Sequence, residues 1–409
     1  MVRQFKDSGI EWIGKIPELW NTCQLKRLLM FQNGQDYKHV ESDCGYPVYG
    51  SGGVFMHASQ YLYDGEAILF GRKGTIDRPL YVNEKFWTVD TMYYAIPKSQ
   101  AIGRYLYYLA TLLPYTKYQT STALPSMTQS LLGNMVVALP YIQDQQHIAE
   151  YLDEKCGEID SLIALQEQMI EKLKAYRQSV ITEAVTKGLD PNAKLVPSGI
   201  DWIGEIPEGW LVTDIKKLCI SITDGSHFSP ERQSEGMPYI TAGDIRGKGI
   251  DYNNAMRIRI EDYNLLESQG CRPHKGDILM VKDGATTGRV GMMIDNEECV
   301  LLSSVAMLTP LPNVDSNYLM YLIQSNVIQA QIQLLMAGSA MPRVTLKKIN
   351  SLKGLLIPLN DQHSIASYLD EKCADIDRLI ALKQQKIESL KDYKKSVIYE
   401  AVTGKTIIE

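Results

Sequence analysis

The sequence predicts an α+β (mixed α/β) chain in which two globular domains are separated by two long antiparallel helices forming a coiled coil, with a pseudo-two-fold internal repeat. Three observations predict it. A tryptophan box, "SGIEWIGKIPELW" at 8–20, returns as "SGIDWIGEIPEGW" at 198–210, 190 residues on. A longer segment, "DQQHIAEYLDEKCGEIDSLIALQEQMIEKLKAYRQSVITEAVT" from Asp144, returns without a gap from Asp361 at an offset of 217, with about two thirds of its positions identical. Between box and long segment, both halves read as short β-rich runs punctuated by Gly and Pro.

In chain order, residues 1–20 hold the first box and 21–143 the first variable domain. Residues 144–188 form a central helix, and 189–210 a linker with the second box. Residues 211–360 make the second variable domain, and 361–409 the closing helix. The two offsets differ by 27, so the second variable domain carries that many extra residues.

The long segments are rich in Leu, Ala, Glu, Lys and Gln and free of Pro; the first is closed by Gly188 and Pro191. Their apolar positions keep a seven-residue beat: Leu152, Ile159, Leu173 and Val180 in the first, Leu369, Ile376, Leu390 and Val397 in the second. Leu162, Met169 and Tyr176 form a flanking line, matched by Leu379 and Tyr393, and Gln166 and Lys383 interrupt the seam at matching positions. About 43 residues of helix make a rod of roughly 65 Å. The simplest partner for each helix is its own copy. The link from Gly188 to Pro197 reaches at most roughly 35 Å, which favours an antiparallel pair with one variable domain at each end. The alternative is two helices buried in separate domain cores, and small domains rarely hold helices so long.

In the first variable domain the strand runs are "YPVYGSGG", "YLYDGEAILFGRKGTIDRPLYV" and "FWTVDTMYYAIP". In the second they are "MPYITAGDI", "GDILMVKDGATTGRVGMMI" and "VLLSSVAMLTPL". Each domain ends in a helical stretch and a serine-bearing loop, at 121–140 and 338–358. One fold carrying two different surfaces is expected.

The 409 residues are 45% hydrophobic, enough for two or more cores. No apolar run is long enough to span a bilayer and no hydrophobic stretch follows the basic N-terminus, so a soluble, cytoplasmic protein without a signal peptide is expected, with no membrane partner. Seven scattered cysteines without metal-ligand spacing read as reduced thiols. The net charge of −6 argues against nucleic acid only superficially. Residues 144–190 hold 5 basic against 10 acidic side chains, whereas 21–143 hold 10 against 8 and 211–360 hold 15 against 15.

"GRKGT" at 71–75 and "VKDGATTGR" at 281–289 combine Gly, cations and hydroxyls, which suits backbone approach to phosphate and bidentate reading of guanine by Arg, or equally a hairpin turn. "ITDGSHFSPERQSEGMPYI" at 222–240 is a polar loop with Asp224, His227 and Arg232: a binding loop, a metal site or neither. No GxGxxG, HExxH or GxSxG is present, and "TGKT" at 403–406 reads as a helix terminus because Tyr399 replaces the glycine a nucleotide loop needs. A tandem adaptor for carbohydrate or protein would share this layout. A hydrolase would need a catalytic cluster assembled from distant residues.

Two ordered copies of box, β-rich domain and "IAEYLDEKCGEIDSLI" or "IASYLDEKCADIDRLI" helix resemble the specificity subunit of a type I restriction-modification enzyme, over essentially the whole chain. The resemblance implies that the variable domains are target recognition domains reading a split, asymmetric site in double-stranded DNA. It implies no activity alone, and assembly with two methyltransferase subunits and two restriction/translocase subunits. Those partners use S-adenosylmethionine to methylate adenine, or ATP and Mg to cut; no cofactor is expected on this chain. The residues expected to touch DNA are Tyr49, Ser51, Arg72, Lys73 and Ser126 in the first domain, and His227, Lys282, Thr286, Arg289 and Arg343 in the second; otherwise each is an ordinary loop residue. One departure stands out: the first domain lacks the "TDGSH…P" loop of the second and carries "YPVYGSGG" instead.

Overall fold

The computed structural model describes residues 4–118, 125–336 and 342–408; parts of both serine-bearing loops, 119–124 and 337–341, lie outside the described residues. The chain forms two compact units. The first joins Met1–Glu167 to Gln384–Glu409, and the second is Gln168–Lys383. Each therefore holds one box, one variable domain, half of the helix Ile142–Lys187 and half of the helix Leu359–Val402.

In the first unit a seven-stranded sheet runs, in spatial order, Leu29–Asn33, Met92–Pro97, Tyr63–Gly71, Leu80–Thr88, Tyr46–Gly50, Gly53–Ala58, Glu41–Ser42. The long strand Leu80–Thr88 holds it together, antiparallel to Tyr63–Gly71 along one edge and parallel to Tyr46–Gly50 along the other. The second unit repeats this order with that strand interrupted and the outermost strand reduced to an isolated bridge of Gln233 with Arg257. Val290–Met292 takes the antiparallel edge and Val300–Leu301 the parallel one, so four-stranded and three-stranded sheets replace the seven-stranded one.

Behind each sheet sits a short helix whose buried tyrosine donates across the core: Tyr105 to the carbonyl of Ala138 and Tyr318 to that of Leu355. The glutamine opening each long helix is also buried. Gln145 accepts from the amide of Ile102 and donates to the carbonyl of Pro140; Gln362 accepts from that of Asp315 and donates to that of Ile357. An amide side chain satisfied at both ends ties the helix start to its own β domain, which explains why both copies begin with Asp-Gln.

The tryptophan boxes fold as hairpins, Phe5–Asp7 with Lys15–Pro17 and Leu195–Pro197 with Glu205–Pro207. Ile13, Ile16 and Trp20, like Ile203, Ile206 and Trp210, are buried, and each set lies in its unit's main core. Each box closes a helix end. A Cβ on Gly404 (φ +71°) would stand 2.9 Å from the Trp20 ring, and one on Gly188 (φ +75°) 3.3 Å from the Trp210 ring. A left-handed glycine at the terminus lets the indole lie flat against the backbone. "TGKT" is accordingly a helix terminus: Thr403 bonds back to Tyr399, and the Lys405 ammonium reaches the carbonyl of Ile13.

In each unit the two helix halves lie antiparallel. Lys394 meets Asp160 in the first, and Ile398, Ala401 and Val402 share a core with Ile148, Ala149, Leu152 and Cys156. Arg177 meets Asp377 in the second, and Val180, Ile181, Ala184 and Val185 share a core with Ile365, Ala366, Leu369 and Cys373. Of the predicted seam, Leu152, Ile159, Val180, Leu369, Ile376 and Leu390 are buried, and Leu173 and Val397 half-buried. The flanking line is a correction. Leu162, Tyr176, Leu379 and Tyr393 are about half exposed, so the seam is narrow, as a two-helix contact requires.

Candidate nucleic-acid interface

Four segments converge at one end of the first sheet. Gly34 donates to the carbonyl of Met92 and Gln35 to that of Thr88, and a Cβ on Gly34 would lie 2.0 Å from the Val89 oxygen, so only glycine fits. Arg72 donates its amide to Thr91, and its carbonyl accepts from Met127; Gly74 donates to Pro125, and Lys73 pairs with Ser126 as an isolated antiparallel bridge. The Arg72 guanidinium is exposed, 3.4 Å from the carbonyl of Asp90 and 5.9 Å from the centre of the Tyr93 ring.

The second unit builds the same cradle bond for bond. Gly225 donates to Val305 and Ser226 to Leu301, and a Cβ on Gly225 would lie 2.0 Å from the Leu301 oxygen. Lys282 donates to Ser304 and accepts from Val344, Gly284 donates to Pro342, and Asp283 pairs with Arg343. Position by position, Gly34 matches Gly225, Arg72 matches Lys282, Lys73 matches Asp283, and Ser126 matches Arg343.

This equivalence corrects the departure read from the sequence. The counterpart of "TDGSH" is "QNGQD" at 32–36, whereas "YPVYG" is the counterpart of the strand Met237–Ile240, the one pairing in parallel with Leu80–Thr88 and the other with Val300–Leu301. The extra residues of the second unit are located by the same matches. The offset is 191 at Gly34 and Gly225 but 210 at Gly74 and Gly284, so most of them lie in the segment 241–255 and the helix Ile260–Ser268.

Of the residues expected to touch DNA, Arg72, Lys73 and Ser126 come together in the first cradle. Tyr49 lies beside it, its carbonyl accepting from Val89 and Thr88, but its hydroxyl donates to Glu84 at 2.6 Å, and burial and that carboxylate push the phenol pKa up. Ser51 sits in the two-residue turn beyond, half-buried. In the second cradle Arg343 and Arg289 are exposed, Arg289 donating to the carbonyl of Ile245 at 3.3 Å, and Thr286 is half-buried in the turn that Arg289 closes. His227 is exposed, and among the described residues no three His, Cys, Asp or Glu side chains gather to hold a metal ion. Beside it Phe228 is 46% exposed on a backbone pinned by Ser226 and by the hydroxyl of Tyr239.

Lys282 is placed otherwise than its sequence suggested. It is 2% exposed, with its ammonium 3.1 Å from Asp224 and 3.0 Å from Asp283, so it meets carboxylates instead of solvent. Asp283 in turn stands 3.0 Å from the Nε of Arg343. Sequence reasoning passed over Asp283 as a functional residue; the signal available was a lysine and an aspartate adjacent in a Gly-flanked loop.

Two versions of one fold, each presenting the same backbone cradle with different side chains, define a tandem recognition protein. Known proteins agree with that layout. The family of the type I restriction modification DNA specificity domain matches twice, over residues 17–175 and 207–392, and the chain belongs to this family. The type I restriction enzyme MjaVIII specificity subunit of Methanocaldococcus jannaschii is 25% identical over 84% of this chain and 78% of its own. The putative MjaX specificity subunit of the same organism is 24% identical over 96% and 95%. A chain solved in work on complex assembly and conformational transition of the type I R-M system superposes with a TM-score of 0.69 at 15% identity, over 96% of this chain and 99% of that one. This protein is thus a type I restriction-modification specificity subunit by family. Among the described residues no helix is long and apolar enough to cross a membrane.

Proposed function

We propose that each unit reads one half of a bipartite, asymmetric DNA site, and that the chain directs adenine methylation and ATP-dependent cleavage carried out by its partners. The observation that carries this reading is the pair of cradles. Their backbone hydrogen bonds match while Arg72, Lys73 and Ser126 give way to Lys282, Asp283 and Arg343. A conserved frame with exchanged tips is what reading two different half-sites demands, because base-edge contacts are made by side chains and register by backbone and phosphate contacts.

Two copies of a methyltransferase subunit, with two restriction/translocase subunits in the complete enzyme, are the partners in this reading. The repeated exposed residues support a partner bound twice. Leu162, Leu165 and Tyr393 are uncovered in the first unit, and their repeats Leu379, Leu382 and Tyr176 in the second. S-adenosylmethionine, ATP and Mg belong to those partners, and this chain acts without a cofactor of its own. Its near-neutral variable domains leave much phosphate neutralisation to the partner.

The test is a methylome. The chain is expressed in a methylation-free host with a methyltransferase subunit that co-purifies with it, and modified adenines are mapped by single-molecule sequencing. A new two-part asymmetric motif is expected; unchanged adenines with a folded, co-purifying partner would overturn the reading.

A further inference from the structure

We infer that Arg343 reads a guanine in the half-site of the second unit, and that Asp283 and the buried Lys282 are positioning residues that aim it. This rests on the DNA-reading role proposed above and names the base and the residues.

Four charges run in series from core to surface. The Lys282 ammonium, buried, lies between Asp224 at 3.1 Å and Asp283 at 3.0 Å; the other oxygen of Asp283 lies 3.0 Å from Nε of Arg343, whose side chain is 57% exposed. The contact is an ion pair without hydrogen-bond geometry, the facing oxygen of Asp283 having no hydrogen-bond partner; it draws the guanidinium toward the cradle at Nε and leaves the outer edge, with its two terminal nitrogens, outside that pair. That edge is the bidentate donor that matches O6 and N7 of guanine in the major groove. The anchor matters because an untethered arginine serves any phosphate, whereas one drawn to the cradle by charge keeps its fork within a narrower range of positions.

The lysine explains how the carboxylate is itself held. Asp224 ends the strand Cys219–Asp224 and Asp283 follows the strand Ile278–Val281, and without a cation between them two half-buried carboxylates would repel at close range. The Lys282 backbone carries the cradle bonds to Ser304 and Val344, so its ammonium and main chain between them join the segments of Asp224, Ser304 and Val344. The first unit solves the same position differently. Lys73 and Ser126 occupy the places of Asp283 and Arg343, and the residue in place of Lys282 is the exposed Arg72. The bridge keeps its geometry while its chemistry changes, as a specificity position should.

The experiment compares methylomes of the co-expressed complex carrying the wild-type chain, R343A, R343K, D283N or K282M, with R72A to mark the first unit's half-site. Co-purification with the methyltransferase and a thermal unfolding midpoint are measured for each. The wild-type motif is expected to contain an invariant guanine in the half-site that R72A leaves unchanged. R343A and R343K relax that one position by about ten- to a hundredfold in guanine preference, the worth of a bidentate contact. R343K keeps the charge and lacks the fork, so it separates base reading from phosphate attraction and from folding. D283N and K282M relax the same position less, while the other half-site stays intact. The inference is overturned if R343K keeps full guanine stringency, if relaxation falls on another base, or if both half-sites relax together. A wild-type chain that yields no bipartite motif would instead remove the functional reading on which it rests.

Discussion

Asp160 of the central helix receives two hydrogen bonds of 2.7 Å from the ammonium of Lys394 on the last helix. Their repeat mates make the same pair in the other unit: Asp377, 217 residues beyond Asp160, lies 3.2 Å from Arg177, 217 residues before Lys394. Each duplicated position thus meets the duplicate of its partner. Cys156 and Cys373 repeat the relationship, one facing the charge of Lys394 and the other that of Arg177.

These pairs are register markers more than sources of stability. The Asp160 carboxylate is 58% exposed and the Asp377 carboxylate 54%, so each pair is screened by water. A double-mutant cycle with D160N and K394M is expected to give a coupling of about 0.2–1 kcal/mol from chemical denaturation. The charge reversal D160K, which sets two lysines together, costs more than D160N, and D160K/K394D recovers most of the loss. A coupling near zero in both cycles would show that the pairs are incidental.

The glycine that closes each long helix makes a sharper prediction. Gly404 and Gly9 share a left-handed backbone near φ +71°, but a Cβ on Gly9 meets nothing within 4 Å, whereas on Gly404 it would stand 2.5 Å from Pro17 and 2.9 Å from Trp20. G9A is expected to cost about 1–2 kcal/mol for conformation alone. G404A costs clearly more, because the buried indole must also move. Trp20→Ala, which empties a site in the first unit's core, is expected to cost about 3–5 kcal/mol. Equal costs for G9A and G404A in urea unfolding would contradict this packing.

Buried thiols set an alkaline limit. Burial pushes Cys156 up to about 11 and Cys219 and Cys299 up to about 12, from an ordinary value of 9.0. Burial moves the phenols of Tyr105, Tyr115 and Tyr318 in the same direction. A group whose folded pKa is raised gives its full stability below the unfolded value and loses it as pH climbs through the folded one. The unfolding midpoint should therefore hold to about pH 9 and fall steadily above it. At pH 8 iodoacetamide should modify the exposed Cys44 in the native chain, and Cys156, Cys219 and Cys299 only after unfolding. Rapid labelling of Cys219 in folded protein would refute the burial argument.

The frame of this fold was legible because it repeats itself in letters. Helix periodicity and box residues such as Trp20 and Trp210 are side-chain requirements, and side chains are what a sequence shows. The equivalence of the two cradles was hidden for the opposite reason: it is carried by backbone hydrogen bonds, which tolerate any side chain. Only the residues that geometry restricts survive as clues, Gly34 with Gly225, Gly74 with Gly284, and Pro125 with Pro342, and an offset that drifts from 191 to 217 disguises them. Lys282 looks like a DNA-contacting cation in the sequence because its burial depends on Asp224, 58 positions away, and on the adjacent Asp283. A heptad marks a face without giving its width, so the sequence does not show that the flanking positions Leu162 and Tyr176 stay about half exposed.

If the helices Ile142–Lys187 and Leu359–Val402 set the spacing between half-sites, their length should be readable in DNA. Removing 163–166 and 380–383, matched positions, shortens each helix by about 6 Å, close to two base pairs at 3.4 Å. Four residues are slightly more than one turn, so this deletion also rotates the seam by roughly 40°. Removing 162–168 and 379–385 takes out a whole heptad, keeps the seam in phase and shortens the helix by about 10.5 Å, or three base pairs. The methylome of the co-expressed complex reads both. The half-site sequences should stay as in the wild type while the unspecified gap contracts, more cleanly for the seven-residue pair. Deleting four residues from one helix alone should abolish methylation, because the antiparallel contacts made by Asp160 and Arg177 then fall out of register. An active seven-residue variant with an unchanged gap would show that something other than helix length sets the spacing.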